Sequence, residues 1–152
     1  MLIQQGQGHG KGTGSAPPDV KLVGKWKAVL ERGSQVVQVE EGFNVITTSG
    51  LHGLAAFLAS AALSATQNTF FFVAIGSDNT AESAGQEALG TELSRHTGTV
   101  TAFTAIYQVI ATFASGSGTG SVYEYGLLNS NASGIMLSRD TEGLITKGAN
   151  DT

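Results

Sequence analysis

Cysteine is absent from the chain, which removes disulfide bridges, thiol nucleophiles and thiolate metal sites together. It also leaves the redox state of the compartment unreadable. Charge is scarce: Asp, Glu, Lys and Arg make up 13% of the 152 residues, about half the usual share of a soluble domain. A surface so weakly charged solvates poorly, which predicts that much of it is buried against other chains. Positive charge is scarcest. Eight Lys and Arg against twelve Asp and Glu give a net charge of −4, with no basic stripe of the kind a general nucleic-acid binder carries. Long apolar runs are missing too. The longest, Leu51 to Leu63, is broken by His52, Gly53 and Ser60 and is too short to span a bilayer. The first ten residues have neither the basic nor the apolar region of a secretory signal. The expectation is a soluble chain with no membrane and no nucleic-acid partner.

Glycine, by contrast, is abundant, at 21 residues. Residues 1–19 form a low-complexity arm of Gly, Gln, Ser and Thr that ends near the only two prolines, Pro17 and Pro18. A stretch of this composition cannot by itself offset its ordering entropy. It is expected to order against neighbouring subunits, with Gln4, Gln5, His9, Lys11, Pro17 and Pro18 as its interface residues. A phosphate-loop reading of the arm fails. Lys11 is followed by Gly12 where Ser or Thr is required, Gln5 stands where the first Gly belongs, and no strand precedes it.

Residues 20–152 read as one mainly β domain. Lys21 to Arg32 and Gln35 to Phe43 flank a Gly33-Ser34 turn and predict an N-terminal hairpin. Leu51, Leu54, Ala55, Leu58 and Ala62 recur at steps of three and four, which predicts one helix over 50–64 with Thr48 or Ser49 as its N-cap. Thr69 to Gly76 is a short aromatic and β-branched run that reads as a buried strand. Residues 77–97 read as a long polar connection with a helical turn near 86–89. Residues 98–113 carry apolar side chains on both parities and read as one central strand. The closing segment predicts a hairpin from Ser121 to Arg139 around the turn Asn129 to Gly134, then a last strand over 142–147. Roughly seven short strands and a single helix predict an antiparallel β-sandwich, jelly-roll-like in class.

Few side chains invite chemistry. His9, His52 and His96 have neither metal-ligand spacing nor an acidic residue three or four positions further on, and read as surface or interface residues. Glu40 and Glu41 are adjacent in a strand, so they point to opposite faces and cannot act as a pair. Asp78, Glu82 and Glu87 could converge on a cation, but lack the alternating spacing of a calcium loop. Glu124 stands out, because strand parity places it with Val122 and Gly126, opposite the face of Tyr123 and Tyr125. An inward carboxylate needs a cation, and Arg139 on the returning strand is the candidate; a water-facing Glu124 is the alternative. The pair is expected to be structural, since no second titratable group accompanies it. No catalytic residue, cofactor site or metal site is assigned.

Several separated segments carry a resemblance: Gly76-Ser-Asp-Asn-Thr-Ala, Glu87-Ala-Leu-Gly-Thr-Glu-Leu-Ser-Arg, Val122-Tyr-Glu-Tyr-Gly-Leu-Leu-Asn, Gly134-Ile-Met-Leu-Ser-Arg and Ile145-Thr-Lys-Gly-Ala-Asn-Asp-Thr. Together with Gly24-Lys-Trp-Lys and Asn44-Val-Ile-Thr-Thr-Ser-Gly-Leu, they resemble a family of small tailed-bacteriophage virion proteins over about residues 24–152. The resemblance implies a non-enzymatic structural protein of the virion, assembled in the bacterial cytoplasm. A capsid decoration or cement protein is the first expectation, bound to the major capsid protein or other virion proteins as a dimer or trimer. A tail-fibre, baseplate or adaptor module is the alternative, and a carbohydrate-binding module using Trp26, Tyr107, Tyr123 and Tyr125 is the second. Tyr125 departs from the family's Ala and Leu128 from its Phe. Relatives also continue past the Asp-Thr pair with a further strand, so either the sequence stops short of that strand or the sheet is completed differently, with a partner as the expected donor.

Overall fold

The computed structural model describes residues 22–59, 69–103 and 106–152. The arm over 1–19, with its six interface residues, lies outside them. The described residues are mainly β and antiparallel, with one helix. Strands β1 (Gly24–Arg32) and β2 (Gln35–Ile46) form a long hairpin. Its two-residue turn is made possible by Gly33, whose φ of 61° suits a residue without a Cβ. After α1 (Thr48–Ala59) come β3 (Phe72–Gly76), β4 (Glu92–Thr97), β5 (Thr99–Phe103), β6 (Ile106–Ile110), β7 (Gly120–Val122), β8 (Glu124–Leu128), β9 (Met136–Asp140) and β10 (Ile145–Lys147). Six strands make one curled sheet in the order β1-β2-β9-β8-β3-β4, while β7–β10 and β5–β6 are separate two-stranded ribbons.

Alternation along β3 divides the core. Ile75 faces a cluster with Leu30, Val122 and Ile145, closed by the β7–β10 ribbon and half-buried Tyr125 and Phe113. Ala74 faces the other side, where Leu89, Leu128 and Met136 pack together. Leu89 belongs to the long 77–91 connection, so that loop is the lid of the second core.

Three local expectations need correction. Residues 98–113 are not one central strand. β5 and β6 pair with each other, Thr99 against Ile110 through Phe103 against Ile106, as an exposed hairpin. The polar connection contains β4, which pairs along β3 where a loop was expected, and residues 86–89 are not helical. The helix begins earlier, and its cap is Thr47. That fully buried side chain accepts the N–H of Gly50 at 3.0 Å and donates to the carbonyl of Met136. Of the expected apolar stripe, Leu51 is 48% exposed and Leu54 half-buried, while residues 60–64 lie outside the described residues. Gly50 and Gly53 are the buried positions among residues 48–57. A Cβ on Gly50 would stand 2.5 Å from the Cα of Leu137, so glycine permits the helix to lie directly on the β9 backbone.

Candidate functional site

The structure brings Glu124 and Arg139 together at the centre of the sheet. Both start from alternation: Gly76 opposes Glu124 across β3–β8, and Gly126 opposes Arg139 across β8–β9, so both side chains leave the same face. Both residues are fully buried. Arg139 Nε and Nη2 donate to Glu124 Oε2 at 3.0 and 2.9 Å. The same carboxylate accepts three backbone N–H groups from the long loop: Gly90 on Oε2 at 2.8 Å, Thr91 on Oε1 at 2.8 Å and Asp78 on Oε1 at 3.2 Å.

The guanidinium continues outward. Nη1 donates to the carbonyl of Thr80 and to Gln86 Oε1, each at 3.0 Å, and Nη2 approaches Asp78 Oδ2 at 3.4 Å. Asp78 in turn accepts the N–H and hydroxyl of Thr80, and these hydrogen bonds hold its carboxyl below the usual range. Gly76 completes the fit, because a Cβ there would stand 2.3 Å from Glu124 Oε1. The result is a buried knot that ties residues 78–91 onto the sheet. Its carboxylate accepts five donors and is shut from solvent, so it is equipped to hold a loop rather than to move a proton.

A second buried group lies on the opposite face. Asp140 opposes Tyr125 across β8–β9, and Tyr125 stacks on Trp26 with ring centroids 4.2 Å apart. Asp140 Oδ2 accepts the N–H of Glu142 at 2.9 Å. Its Oδ1 and the indole N–H of Trp26 are both buried without a hydrogen-bond partner, and the nearby indole tempers the upward shift of the carboxyl. Burial, with lesser contributions from nearby Glu82 and Glu142, pushes the Asp140 carboxyl up to about 6. Burial, then Glu40 and Asp140, raises the Tyr125 phenol.

The sign of the Asp140 effect is clear. An unfolded Asp titrates near ~3.9, so the folded chain holds this proton more tightly than the unfolded one. On this group's account stability is full below about pH 4 and declines as pH rises through about 6. We expect Asp140→Asn to flatten that decline and to raise the neutral-pH melting temperature by a few degrees, on the order of 1 kcal/mol after solvent screening. Thermal melts from about pH 4 to 7 check it; indistinguishable profiles for the two chains would contradict the assignment.

The remaining residues singled out from sequence do not converge. Glu82 accepts the Thr141 hydroxyl at 2.6 Å, which lowers its pKa, while Asp78 serves the knot and Glu87 is exposed. Among the described residues no group of three or more His, Asp and Glu is placed to hold a metal ion. No helix among them is long and apolar enough to cross a membrane. His96 lies in β4, not in a loop, with Nε2 2.7 Å from Ser117 Oγ and its ring edge-on to Phe113. Lys147 and Asp151 are buried residues that sequence reading missed. Lys147 Nζ donates to the carbonyls of Ala114 and Asp151, while Asp151 takes the Nε of Arg32 at 2.8 Å. The Arg32 hydrogen bond pulls the Asp151 carboxyl down to about 2.

The described surface is unusually apolar in two places. Val29, Val36, Val37, Val39 and Phe43 are exposed on the β1–β2 ribbon, and Val100, Ile106, Tyr107 and Ile110 on the β5–β6 hairpin. An open groove of about 1510 Å³ touches Val29, Phe43, Ile106, Tyr107 and Ile110 of these and is also lined by Trp26, Phe57, Phe113 and Tyr125. No family model, curated protein or solved structure matches the chain.

Proposed function

We propose that this chain is a non-enzymatic structural protein of a phage virion, a decoration or cement protein that sits on the capsid shell. The observation that carries the reading is the surface. Exposed apolar side chains cluster on the β1–β2 ribbon and the β5–β6 hairpin of a chain with only 13% charged residues. Solvent covers such patches poorly, and neighbouring subunits cover them well. The buried polar groups support it from the other side. The Glu124–Arg139 knot is spent on holding a loop, which a rigid building block needs and a reactive site does not. The segments that resemble small virion proteins supply the class of assembly.

The Gly-rich arm is the tether in this reading, crossing to adjacent subunits while the β domain rests on the shell. Deleting residues 1–19 tests it. Particles assembled with the shortened chain are expected to lose most of their copies, as read by gel densitometry and electron microscopy of purified virions. Unchanged occupancy sinks the arm's role. Copy number in the intact virion tests the location, since a cement protein is present at numbers comparable with the shell protein and a tail component at far fewer.

A further inference from the structure

We infer that the fork where β2 leaves β9 binds an internal water molecule, held at three points by Trp26, Asn44 and Asp140. The ladder between these two strands has two rungs, Val45 against Arg139 and Ile46 against Ser138. From Asn44 back to Gln35, β2 pairs among the described residues with β1 alone, and β9 ends at Asp140. Ribbon and sheet therefore part at Asn44 and Asp140, where side chains rather than backbone must fill the angle between them.

Three buried polar atoms at this fork have no hydrogen-bond partner: Trp26 Nε1, Asn44 Oδ1 and Asp140 Oδ1. They come from β1, β2 and β9, yet they share one face of the sheet. Tyr125 opposes Asp140 across β8–β9 and stacks on Trp26, so the indole lies beside the fully buried carboxyl. The indole crosses β2 over Gly42, where a Cβ would stand 2.8 Å from Nε1. Gly42 and Asn44 are two residues apart in one strand, and so lie on the same face. Asn44 also reaches the sheet, because its Nδ2 donates at 2.7 Å to Ser138 Oγ, two residues before Asp140. Each strand thus brings one unsatisfied group to the same place, and a buried polar group left unpaired forfeits its whole hydration.

The pattern of donors selects the ligand. The site offers one N–H and two acceptor oxygens. Water accepts from the first and donates to both of the others, the three bonds that a buried water typically makes. An ammonium has no lone pair for the indole. A metal ion would find two oxygens where it needs six or more, and among the described residues no three His, Asp and Glu gather to hold one. An anion is refused by both oxygens, and by Glu82 and Glu142 near Asp140. The open groove reaches Trp26, Gly42, Asn44 and Ser138, which gives water a way in. The loop after β9 closes the far side. Tyr125 donates its hydroxyl to the carbonyl of Gly143 at 3.2 Å, and Gln38 Nε2 donates to that of Leu144 at 2.7 Å. Bound there, the water supplies the rung that the β2–β9 ladder lacks and pins the β1–β2 ribbon to the sheet.

The test uses the full chain, whose one tryptophan makes the indole resonance unambiguous. Water-selective NMR in the rotating frame separates dipolar contact with the indole N–H from chemical exchange. The sign of the same effect in the laboratory frame separates a held water from a passing one. The parent is expected to show contact with a water that stays longer than the protein takes to tumble. Asp140→Asn keeps an oxygen in place and should retain that contact. Trp26→Phe keeps an aromatic ring on Tyr125 but has no N–H, and Asn44→Val removes an acceptor. In each of these two, the number of long-lived waters counted by oxygen-17 relaxation dispersion should fall by about one. Absence of the dipolar contact in the parent overturns the site. So does an indole resonance that shifts in Asp140→Asn with no water contact, which marks a direct bond to the carboxylate. An unchanged count in either Trp26→Phe or Asn44→Val overturns the three-point binding. If Asn44→Val fails to fold, Trp26→Phe and Asp140→Asn decide alone.

Discussion

Arg139→Met is expected to destabilise the protein by about 3–5 kcal/mol, lowering the melting temperature by roughly ten degrees. The reason is what the substitution leaves behind. Glu124 would remain fully buried among three loop N–H groups with the cation removed, and an uncompensated buried charge is far costlier than a lost surface pair. Gln86 and the Thr80 carbonyl would lose their donor as well, freeing the outer part of the loop. Exchange protection at Gly90 and Thr91 should therefore fall before the global transition does. Replacing both partners, as Glu124→Leu with Arg139→Met, is not expected to restore stability here. An apolar pair abolishes the buried charge but strands the N–H groups of Asp78, Gly90 and Thr91. Urea titrations of the single and double variants check both statements. A double variant as stable as the parent would show that the loop finds other partners.

Leu128→Ala should cost about 2–5 kcal/mol, through lost transfer energy and the cavity left among Ala74, Leu89 and Met136. Leu128 is 1% exposed and lies next to the β8–β9 bulge, where collapse is limited by paired backbone on both sides. Leu144→Ala supplies the contrast, since Leu144 is 41% exposed and should change stability by no more than about 0.5 kcal/mol. Comparable midpoints for the two variants in guanidinium would contradict the placement of the second core. Leu89 links the two predictions. It comes from the same loop that the Glu124–Arg139 knot holds down, so loosening the knot also opens this core.

Local chemistry made much of this fold legible. The Gly33-Ser34 turn between alternating runs defined the first hairpin, and the Asn129–Gly134 turn defined the β8–β9 pair. Parity along 124–126 was enough to place Glu124 on the face opposite Tyr125. The strand breaks at Tyr123, however, and Val122, expected on the face of Glu124, belongs to β7 and packs on the Tyr125 side. Where the sequence misled, the physical reason is visible in each case. Residues 98–113 carry β-forming side chains throughout with no breaker between them, so nothing local separates β5 from β6. Glu92 to Thr97 is polar enough to read as loop, and becomes β4 because the edge of β3 offers it a ladder. Gly50 and Gly53 weaken a helix in isolation, yet they are the contact points where α1 meets the sheet.

Composition and local pattern by themselves determined the class of the described fold, mainly β with one helix, and removed thiol chemistry. Only the tertiary structure decided what the charged residues do. The partners of Arg139 lie 15 to 61 residues away in the chain, and those of Arg32 119 away, beyond the reach of any local pattern. Burial then fixes their roles, because a carboxylate enclosed with its cation and three backbone donors is stable only as a structural tie. The same tertiary closure pairs Thr152 with Glu31 at one end of β1, a contact that no reading of residue types alone could have located.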